Sequence, residues 1–207
     1  MPVVMLIRHG ENDYVKKARL AGRKQGVHLN EKGRSQAENV AKALAKTKLK
    51  AVYASPLDRT METAQPIAEA QGLEVVPREG LLEVDFGKWQ DKTLKQLSRQ
   101  NLWKVVQNHP SQARFPEGES FADAQHRIVT EIETLVGMHK TKDMFICVGH
   151  SDMIKLALAY YLGTPLDLFQ RIIVQPASIS TLHIATGRIA VINVNHIPRP
   201  TKEENEH

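Results

Sequence analysis

Short apolar segments rich in β-forming residues alternate with segments of helical periodicity along this 207-residue chain. The predicted strands cover residues 3–7, 51–54, 73–77 and 144–148. Strands separated by helices predict an α/β fold, a three-layer sandwich whose central sheet is mostly parallel and carries helices on both faces. Because such sheets bind ligands at the carboxyl ends of their strands, the residues that follow each strand are the first candidates for a functional site.

Start and stop signals place helices between these strands. The predicted N-caps are Asn30, Ser55 and Ser120. The predicted helices cover residues 31–46, 56–71, 121–136 and 151–162. Residues 178–195 predict two strands that meet at a Thr-Gly turn. We predict a single domain over residues 1–197 with a small cap insertion at about 85–119, followed by a polar, disordered tail over 198–207.

The positive charge of the chain is moderate and dispersed. The formal net charge is +5, and the Lys and Arg residues form no dense block. Nucleic-acid-binding proteins usually cluster their basic residues and add aromatic side chains for base stacking, yet only 5% of this chain is aromatic. We therefore expect a small anionic substrate and no nucleic-acid partner. We also expect no membrane association, because no apolar run approaches the ~20 residues of a membrane span, and the first residues lack the basic region of a secretory signal.

Motifs for nucleotides, metals and cysteine chemistry are absent. The chain has no GxxxxGK[ST] or GxGxxG loop, no DxD pair, and no two histidines closer than eleven positions. The single Cys147 excludes an internal disulfide, fits a reducing cytosol and is predicted to pack in the core. We expect a cytoplasmic protein that uses no metal and no cofactor. Histidine is then the best available nucleophile, because a neutral imidazole is nucleophilic at neutral pH.

Arginine and histidine follow three of the predicted strands. Arg8 and His9 end the first strand, Arg59 lies in the helical turn after the second, and His150 begins the helix after a later strand. Taken singly, each of these residues is more often structural or solvated. Their convergence at the carboxyl ends of the strands of one sheet is much less expected by chance than any one of them alone. Helix N-termini and guanidinium groups both favour anions, so the pattern predicts a site for a phosphoryl group.

Five segments, in this order and spacing, resemble the histidine phosphatase superfamily, which contains cofactor-dependent phosphoglycerate mutases and many small-molecule phosphatases. The segments are LIRHGEN (6–12), YASPLDRTMETA (53–64), LLEVDFGKW (81–89), GES (118–120) and VGHSDMIK (148–155). The resemblance covers about residues 3–195. It implies a phosphoglycerate mutase-like fold.

The resemblance also implies roles at the matching positions. His9 would be the nucleophile that forms a phosphohistidine. The groups that bind the phosphoryl oxygens would be Arg8, Arg59, His150 and the backbone N–H of Ser151. Glu83 would be the general acid for the leaving oxygen and later the base for water, which agrees with the needs of an in-line transfer.

One position departs from the family pattern. The family often reads RHGET-x-x-N, with the Asn on phosphate, whereas this chain has Asn12 and Val15 at the corresponding positions. We expect Asn12 to compensate, or Arg23 or His28 from the following loop to reach the phosphoryl group.

Three functions remain open at this point. The first is a metal-independent phosphatase acting on a small phosphorylated metabolite, as a monomer or homodimer. The second is a phosphomutase, which needs additional basic residues to retain a bisphosphorylated intermediate. The basic residues of the insertion are dispersed: Lys92, Lys95, Arg99, Lys104, His109 and Arg114. The third is a non-catalytic module that binds phosphate or phosphoprotein, against which the presence of both His9 and Glu83 argues.

Overall fold

A six-stranded sheet forms the centre of the part of the chain that the structure, a computed structural model, describes, which is residues 2–185 and 187–198. The strands are β1 Val3–Arg8, β2 Ala51–Ala54, β3 Val75–Pro77, β4 Met144–Gly149, β5 Ile179–Ala185 and β6 Arg188–His196. Their order across the sheet is β3-β2-β4-β1-β5-β6. Thr186 of the predicted turn, and all but the first residue of the predicted tail 198–207, lie outside the described residues.

Parallel pairing joins the first four strands. β1 and β2 each pair with β4, and β2 also pairs with β3, all in parallel. β5 is antiparallel to β1 and forms the predicted hairpin with β6. The predicted α/β fold with a mostly parallel sheet is therefore confirmed.

Seven α-helices and four short 3₁₀-helices connect the strands within the described residues. The α-helices are α1 Asp13–Lys16, α2 Glu31–Leu44, α3 Asp58–Glu69, α4 Leu94–Leu97, α5 Asn101–Asn108, α6 Phe121–Met138 and α7 Ser151–Leu162. The 3₁₀-helices are Glu79–Leu81, Gly87–Trp89, Pro110–Gln112 and Leu166–Arg171. Over this described part of the chain, no helix has both the length and the apolar character that a bilayer crossing requires.

The central strands are buried on both faces, which explains their uninterrupted apolar sequences. In β1, Val4 and Leu6 join the core beneath α6 and α7, whereas Met5 and Ile7 join the core beneath α2 and α3. Successive side chains of a strand point to opposite faces, so one five-residue apolar run supplies both cores. Cys147 of β4 is buried, as predicted.

Two of the three predicted caps are confirmed. The side chains of Asn30 and Ser120 accept hydrogen bonds from the third residues of α2 and α6. The prediction for Ser55 was wrong: α3 begins at Asp58, and its N-cap residue is Leu57. The Ser55 hydroxyl instead lies 2.9 Å from Nε2 of His150. The Ser55 hydroxyl therefore hydrogen-bonds a residue distant in sequence instead of capping α3.

The first loop after β1 packs directly on the backbone of α2. A Cβ placed on Gly10 would lie 2.5 Å from the Gly33 carbonyl oxygen, and a Cβ on Gly33 would overlap the Glu11 carbonyl oxygen. Only glycines allow these two backbone segments to approach so closely. The contact holds the residues that follow His9 against a rigid helix.

We predict that Gly33→Ala lowers the free energy of unfolding by about 1–3 kcal/mol, the usual effect of overpacking, although alanine favours helix. The matched control is Gly137→Ala in α6, where a Cβ would meet nothing within 4 Å. That substitution should raise stability by up to about 1 kcal/mol. Urea denaturation of both variants tests the contact, and equal stabilisation by the two substitutions would contradict it.

Candidate active site

A cavity of about 130 Å³ lies where the carboxyl ends of β1 and β4 meet the start of α7. Its lining includes these residues that were predicted from the sequence: Arg8, His9, Asn12, Arg59, Glu83 and Ser151. His150 lies directly behind them, with its ring centroid 5.4 Å from that of His9. The structure thus brings together side chains that are up to 143 positions apart in the sequence.

The hydrogen bonding of His9 leaves one ring nitrogen free. Its Nδ1 lies 2.7 Å from the Gly10 carbonyl oxygen. A carbonyl can only accept, so Nδ1 carries the proton and Nε2 keeps its lone pair. Burial lowers the pKa of His9 well below its usual range, and Arg59 and then Arg8 lower it further. The imidazole is therefore neutral at physiological pH, with Nε2 available as a nucleophile.

The two arginines are held by backbone carbonyls instead of carboxylates. Arg59 Nη2 donates to the Gly22 carbonyl at 2.6 Å, and Arg8 Nη1 donates to the Val174 carbonyl at 2.7 Å. Arg59 Nη1 and Arg8 Nε are buried without a hydrogen-bond partner among the described residues. Unpaired buried donors on two cations are a strong arrangement for binding an oxyanion.

His150 connects three groups of the site. Its Nδ1 lies 3.3 Å from Arg59 Nη2, which can only donate, so Nδ1 accepts and Nε2 carries the proton toward Ser55. The ring is fully buried, and burial together with Arg59 lowers the pKa of His150 well below its usual range. Its Nδ1 is also 3.9 Å from Glu83 Oε2. Both ring nitrogens are thus engaged with Arg59 and Ser55, and His150 does not line the cavity, so the structure does not show the expected contact of His150 with the phosphoryl oxygens.

Glu83 has the titration behaviour of an acid that also serves as a base. Its side chain is 12% exposed, and Oε1 accepts from the Val84 N–H at 3.0 Å. Burial, followed by the negative charge of Asp152, raises the pKa of Glu83 to about 7, while the Val84 N–H, then Arg59 and Arg8, partly oppose the rise. The carboxyl group is therefore about half protonated near neutral pH, and it can give or take a proton.

Asn12 and Ser151 complete the wall of the cavity. Asn12 Oδ1 accepts from the Val15 N–H and caps α1, while its buried Nδ2 has no partner among the described residues. The amide thus offers a donor from a position three residues before the expected family Asn. Ser151 is the first residue of α7, where backbone N–H groups are free of intrahelical partners.

Arg23 and His28 do not line the cavity, so the expectation that either reaches the phosphoryl group in place of the missing Asn is not met in this structure. Arg23 Nε donates to the Glu83 carbonyl oxygen at 2.9 Å, and its Nη2 donates to Glu119 at 3.1 Å. It therefore supports the loop that carries Glu83. His28 is exposed and hydrogen-bonds Glu62.

Two further residues act on Glu83 without having been singled out in the sequence. Arg127 of α6 donates to the carbonyl oxygens of Gly80 and Leu82 and to Glu119, which holds the Glu83 loop on the helix. Asp152 lines the cavity and raises the Glu83 pKa. Asp152 belongs to the VGHSDMIK segment, so its closeness in sequence to His150 could have marked it as a site residue. No sequence pattern marked Arg127. The described residues contain no group of three or more His, Cys, Asp or Glu side chains suited to a metal ion.

Known proteins with similar sequences include both phosphatases and mutases. The chain is 29% identical to phosphoserine phosphatase 1 of Hydrogenobacter thermophilus, with 94% of this chain and 92% of that protein covered. It is also 29% identical to the 2,3-bisphosphoglycerate-dependent phosphoglycerate mutase of Thermoplasma acidophilum, covering 93% of this chain and 92% of that one.

The fold is also similar to that of a solved structure. The phosphoserine phosphatase of Entamoeba histolytica, in complex with 3-phosphoglyceric acid, matches with a TM-score of 0.85 and 26% sequence identity, over 94% of this chain and 97% of that one. Residues 4–197 match the histidine phosphatase superfamily (branch 1), and the chain belongs to that family.

Proposed function

We propose that the protein is a metal-independent phosphatase that hydrolyses small-molecule phosphate monoesters through a phosphohistidine on His9. The observation that carries the proposal is the tautomer of His9. Its Nδ1 is occupied by the Gly10 carbonyl, and the free Nε2 belongs to a cavity that Arg8, Arg59 and Glu83 also line. A nucleophile, an electrostatic clamp and a proton donor are the parts that phosphoryl transfer needs.

The reaction follows in two steps. His9 Nε2 attacks phosphorus, the bond from phosphorus to the ester oxygen breaks, and Glu83 gives its proton to the departing oxygen. Arg8 and Arg59 stabilise the charge on the other phosphoryl oxygens, and the Asn12 amide and the Ser151 N–H add neutral donors. Water then attacks phosphorus, the bond from phosphorus to Nε2 breaks, and Glu83 takes a proton from the water. Inorganic phosphate departs, and Nε2 of the neutral His9 regains its lone pair.

The charges around the cavity favour hydrolysis over mutase activity. None of the basic residues of the insertion lines it. Arg19 does, but its guanidinium is paired with Asp91 at 3.1 Å. A mutase must hold a second phosphoryl group while its substrate turns over, and this calls for arginines or lysines beyond Arg8, Arg59 and the paired Arg19, which the cavity lining does not include. A phosphomutase is the second candidate, favoured by the similarity to the Thermoplasma acidophilum mutase and to several probable phosphoglycerate mutases, such as that of Serratia proteamaculans.

A non-catalytic phosphate-binding module is the least supported of the three candidate functions. Simple binding needs the arginines, but it needs neither a free imidazole lone pair nor a carboxyl group whose pKa is near 7. Both features suit turnover. The proposed partner remains a small phosphorylated metabolite, and the absence of a nucleic-acid partner, the cytoplasmic location and the oligomeric state remain predictions.

We predict that His9→Ala reduces phosphatase turnover by about 10⁴-fold or more, the scale of losing a catalytic nucleophile. His126→Ala is the control, because His126 is an exposed histidine of α6 outside the cavity. It should leave turnover unchanged. Initial rates of p-nitrophenyl phosphate hydrolysis measure both effects, and full turnover by His9→Ala would refute the assignment.

We predict that Glu83→Gln slows phosphorylation by an alkyl phosphate by about 10²–10⁴-fold, the usual contribution of a general acid. It should slow phosphorylation by p-nitrophenyl phosphate much less, because nitrophenolate leaves without a proton. Pre-steady-state measurement is needed, since water attack also uses Glu83. Glu117→Gln, which changes an exposed carboxylate, is the control. Equal slowing of both esters would remove Glu83 as the acid and point to Asp85.

The same residue predicts a pH dependence. As pH rises through about 7, Glu83 loses the proton that the leaving alkoxide needs, so phosphorylation by an alkyl phosphate should slow. The pKa of His9 lies well below its usual range, so His9 adds no second transition there. The decline should be absent in Glu83→Gln. An identical decline in that variant would assign the titration to another group.

We predict that relocation of phosphate is far slower than its release. With 3-phosphoglycerate and catalytic 2,3-bisphosphoglycerate, in the presence of EDTA, interconversion of phosphoglycerates should be far slower than hydrolysis of the best ester in a metabolite panel. Rapid interconversion would establish the phosphomutase instead. Loss of hydrolysis in EDTA, restored by magnesium or zinc, would show that the reaction needs a metal ion.

A further inference from the structure

A second, larger cavity adjoins the one that contains His9. It has a volume of about 360 Å³, and we call it the cap groove. Three residues line both cavities: Leu20, Phe86 and Asp152. A group bonded to a phosphoryl oxygen in the first cavity can therefore extend into the second. Its volume is within the usual range for small-molecule sites, which begins at about 300 Å³.

Packed aromatic rings form much of the cap groove. Phe86, Trp89 and Phe115 line it, each with 4% or less of its surface exposed. The Phe115 ring contacts the other two edge to face, with ring centroids 5.0 and 5.3 Å apart. Rings held by several neighbours in this way form a surface that is rigid before any ligand binds, which reduces the entropy lost on binding.

Trp103 extends this surface toward solvent. It is only partly buried, and its ring stacks on Trp89 with an interplanar angle of 26° and centroids 6.1 Å apart. Leu94, also in the lining, is 39% exposed although it is apolar. Apolar surface left accessible inside a concave site is typical of ligand pockets.

The two charged side chains that line the cap groove form an ion pair with each other. Lys155 Nζ and Asp152 Oδ1 are 3.4 Å apart, one turn from each other on α7. These two are the charged residues in the groove lining. Lys155 therefore adds no net positive charge to the groove, and the Asp152 carboxylate lies at the boundary between the cavities. The groove lining thus carries no net charge that would attract an anionic leaving group.

We propose that the cap groove binds the leaving group of the substrate, and that this group is an uncharged alcohol with an aromatic or other bulky apolar body. The proposal rests on the proposed phosphatase function and names its substrate class. The phosphoryl group binds beside His9, the ester oxygen faces Glu83, and the apolar body lies against Phe86, Trp89 and Trp103. Small carboxylated monoesters, such as phosphoserine and 3-phosphoglycerate, fit this groove poorly.

The first test compares monoesters of primary alcohols, whose oxygens leave with similar difficulty. Burial of a phenyl ring should raise kcat/KM for 2-phenylethyl phosphate about 10–100-fold over that for ethyl phosphate. Phosphoserine and 3-phosphoglycerate should be poorer substrates than 2-phenylethyl phosphate. A preference for either carboxylated ester, or equal use of the ethyl and phenylethyl esters, would overturn the proposal.

Variants of α5 locate the preference in the groove. Trp103→Ala should remove most of the kcat/KM advantage of 2-phenylethyl phosphate over ethyl phosphate, while Trp103→Phe, which keeps an aromatic face, should retain that advantage. Leu102→Ala is the matched control, because Leu102 is partly buried on the same helix and lines neither cavity. An unchanged substrate ratio in Trp103→Ala would overturn the proposal.

Fluorescence tests binding without turnover. Trp89 and Trp103 are the two tryptophans of the chain, and both line the cap groove. Non-hydrolysable 2-phenylethylphosphonate should change the tryptophan emission saturably, whereas ethylphosphonate should not. Absence of a saturable change, or the same change with both phosphonates, would overturn the proposal. Failure of all esters to be hydrolysed, with the fluorescence response intact, would reject the phosphatase function and keep the groove as a site for apolar ligands.

Discussion

Two guanidinium groups, that of the buried Arg59 and that of the partly buried Arg8, lie at the carboxyl end of the sheet without a carboxylate hydrogen-bonded to either. Arg59 is 1% exposed, and neither it nor Arg8 forms a salt bridge among the described residues. Removing a cation from water without a partner is costly, so the fold holds these groups in place with backbone carbonyls and leaves donors unused. This arrangement suits an oxyanion, as the proposed phosphatase function requires. The adjacent arginine and histidine that end the first strand are explained by the same need.

The buried cations also set the protonation of their neighbours. Together with burial, they lower the pKa values of His9 and His150, so both rings stay neutral and the nucleophilic nitrogen keeps its lone pair. The pKa of Glu83 moves the other way, to about 7, because burial and Asp152 outweigh the arginines. Environments that separate the pKa values of titratable groups in this way suit the proposed acid, Glu83, and the proposed nucleophile, His9. Arg23 and Arg127 hold the Glu83 loop in position for that balance.

Local patterns predicted the strands, the four longest helices to within two residues at each end, and the convergence of Arg8, His9, Arg59 and His150, because each depends on short-range rules and on where parallel strands end. The short helices α1, α4 and α5 were not predicted. The errors arose where a distant partner competed. Ser55 hydrogen-bonds His150 instead of capping α3. Arg23 donates to the Glu83 carbonyl and the Glu119 carboxylate instead of lining the cavity. Such choices depend on which groups the fold brings together, and no local spacing encodes them.

The central claim is that Nε2 of His9 receives the phosphoryl group. The most direct measurement is trapping of the phosphoenzyme by rapid quenching, followed by ³¹P and ¹⁵N NMR of the labelled protein to identify the bonded atom. The account predicts an acid-labile, alkali-stable phosphoramidate in which phosphorus is bonded to Nε2 of His9, because Nδ1 is engaged with the Gly10 carbonyl. Phosphate on Nδ1 of His9, on His150 or on a serine oxygen would contradict it.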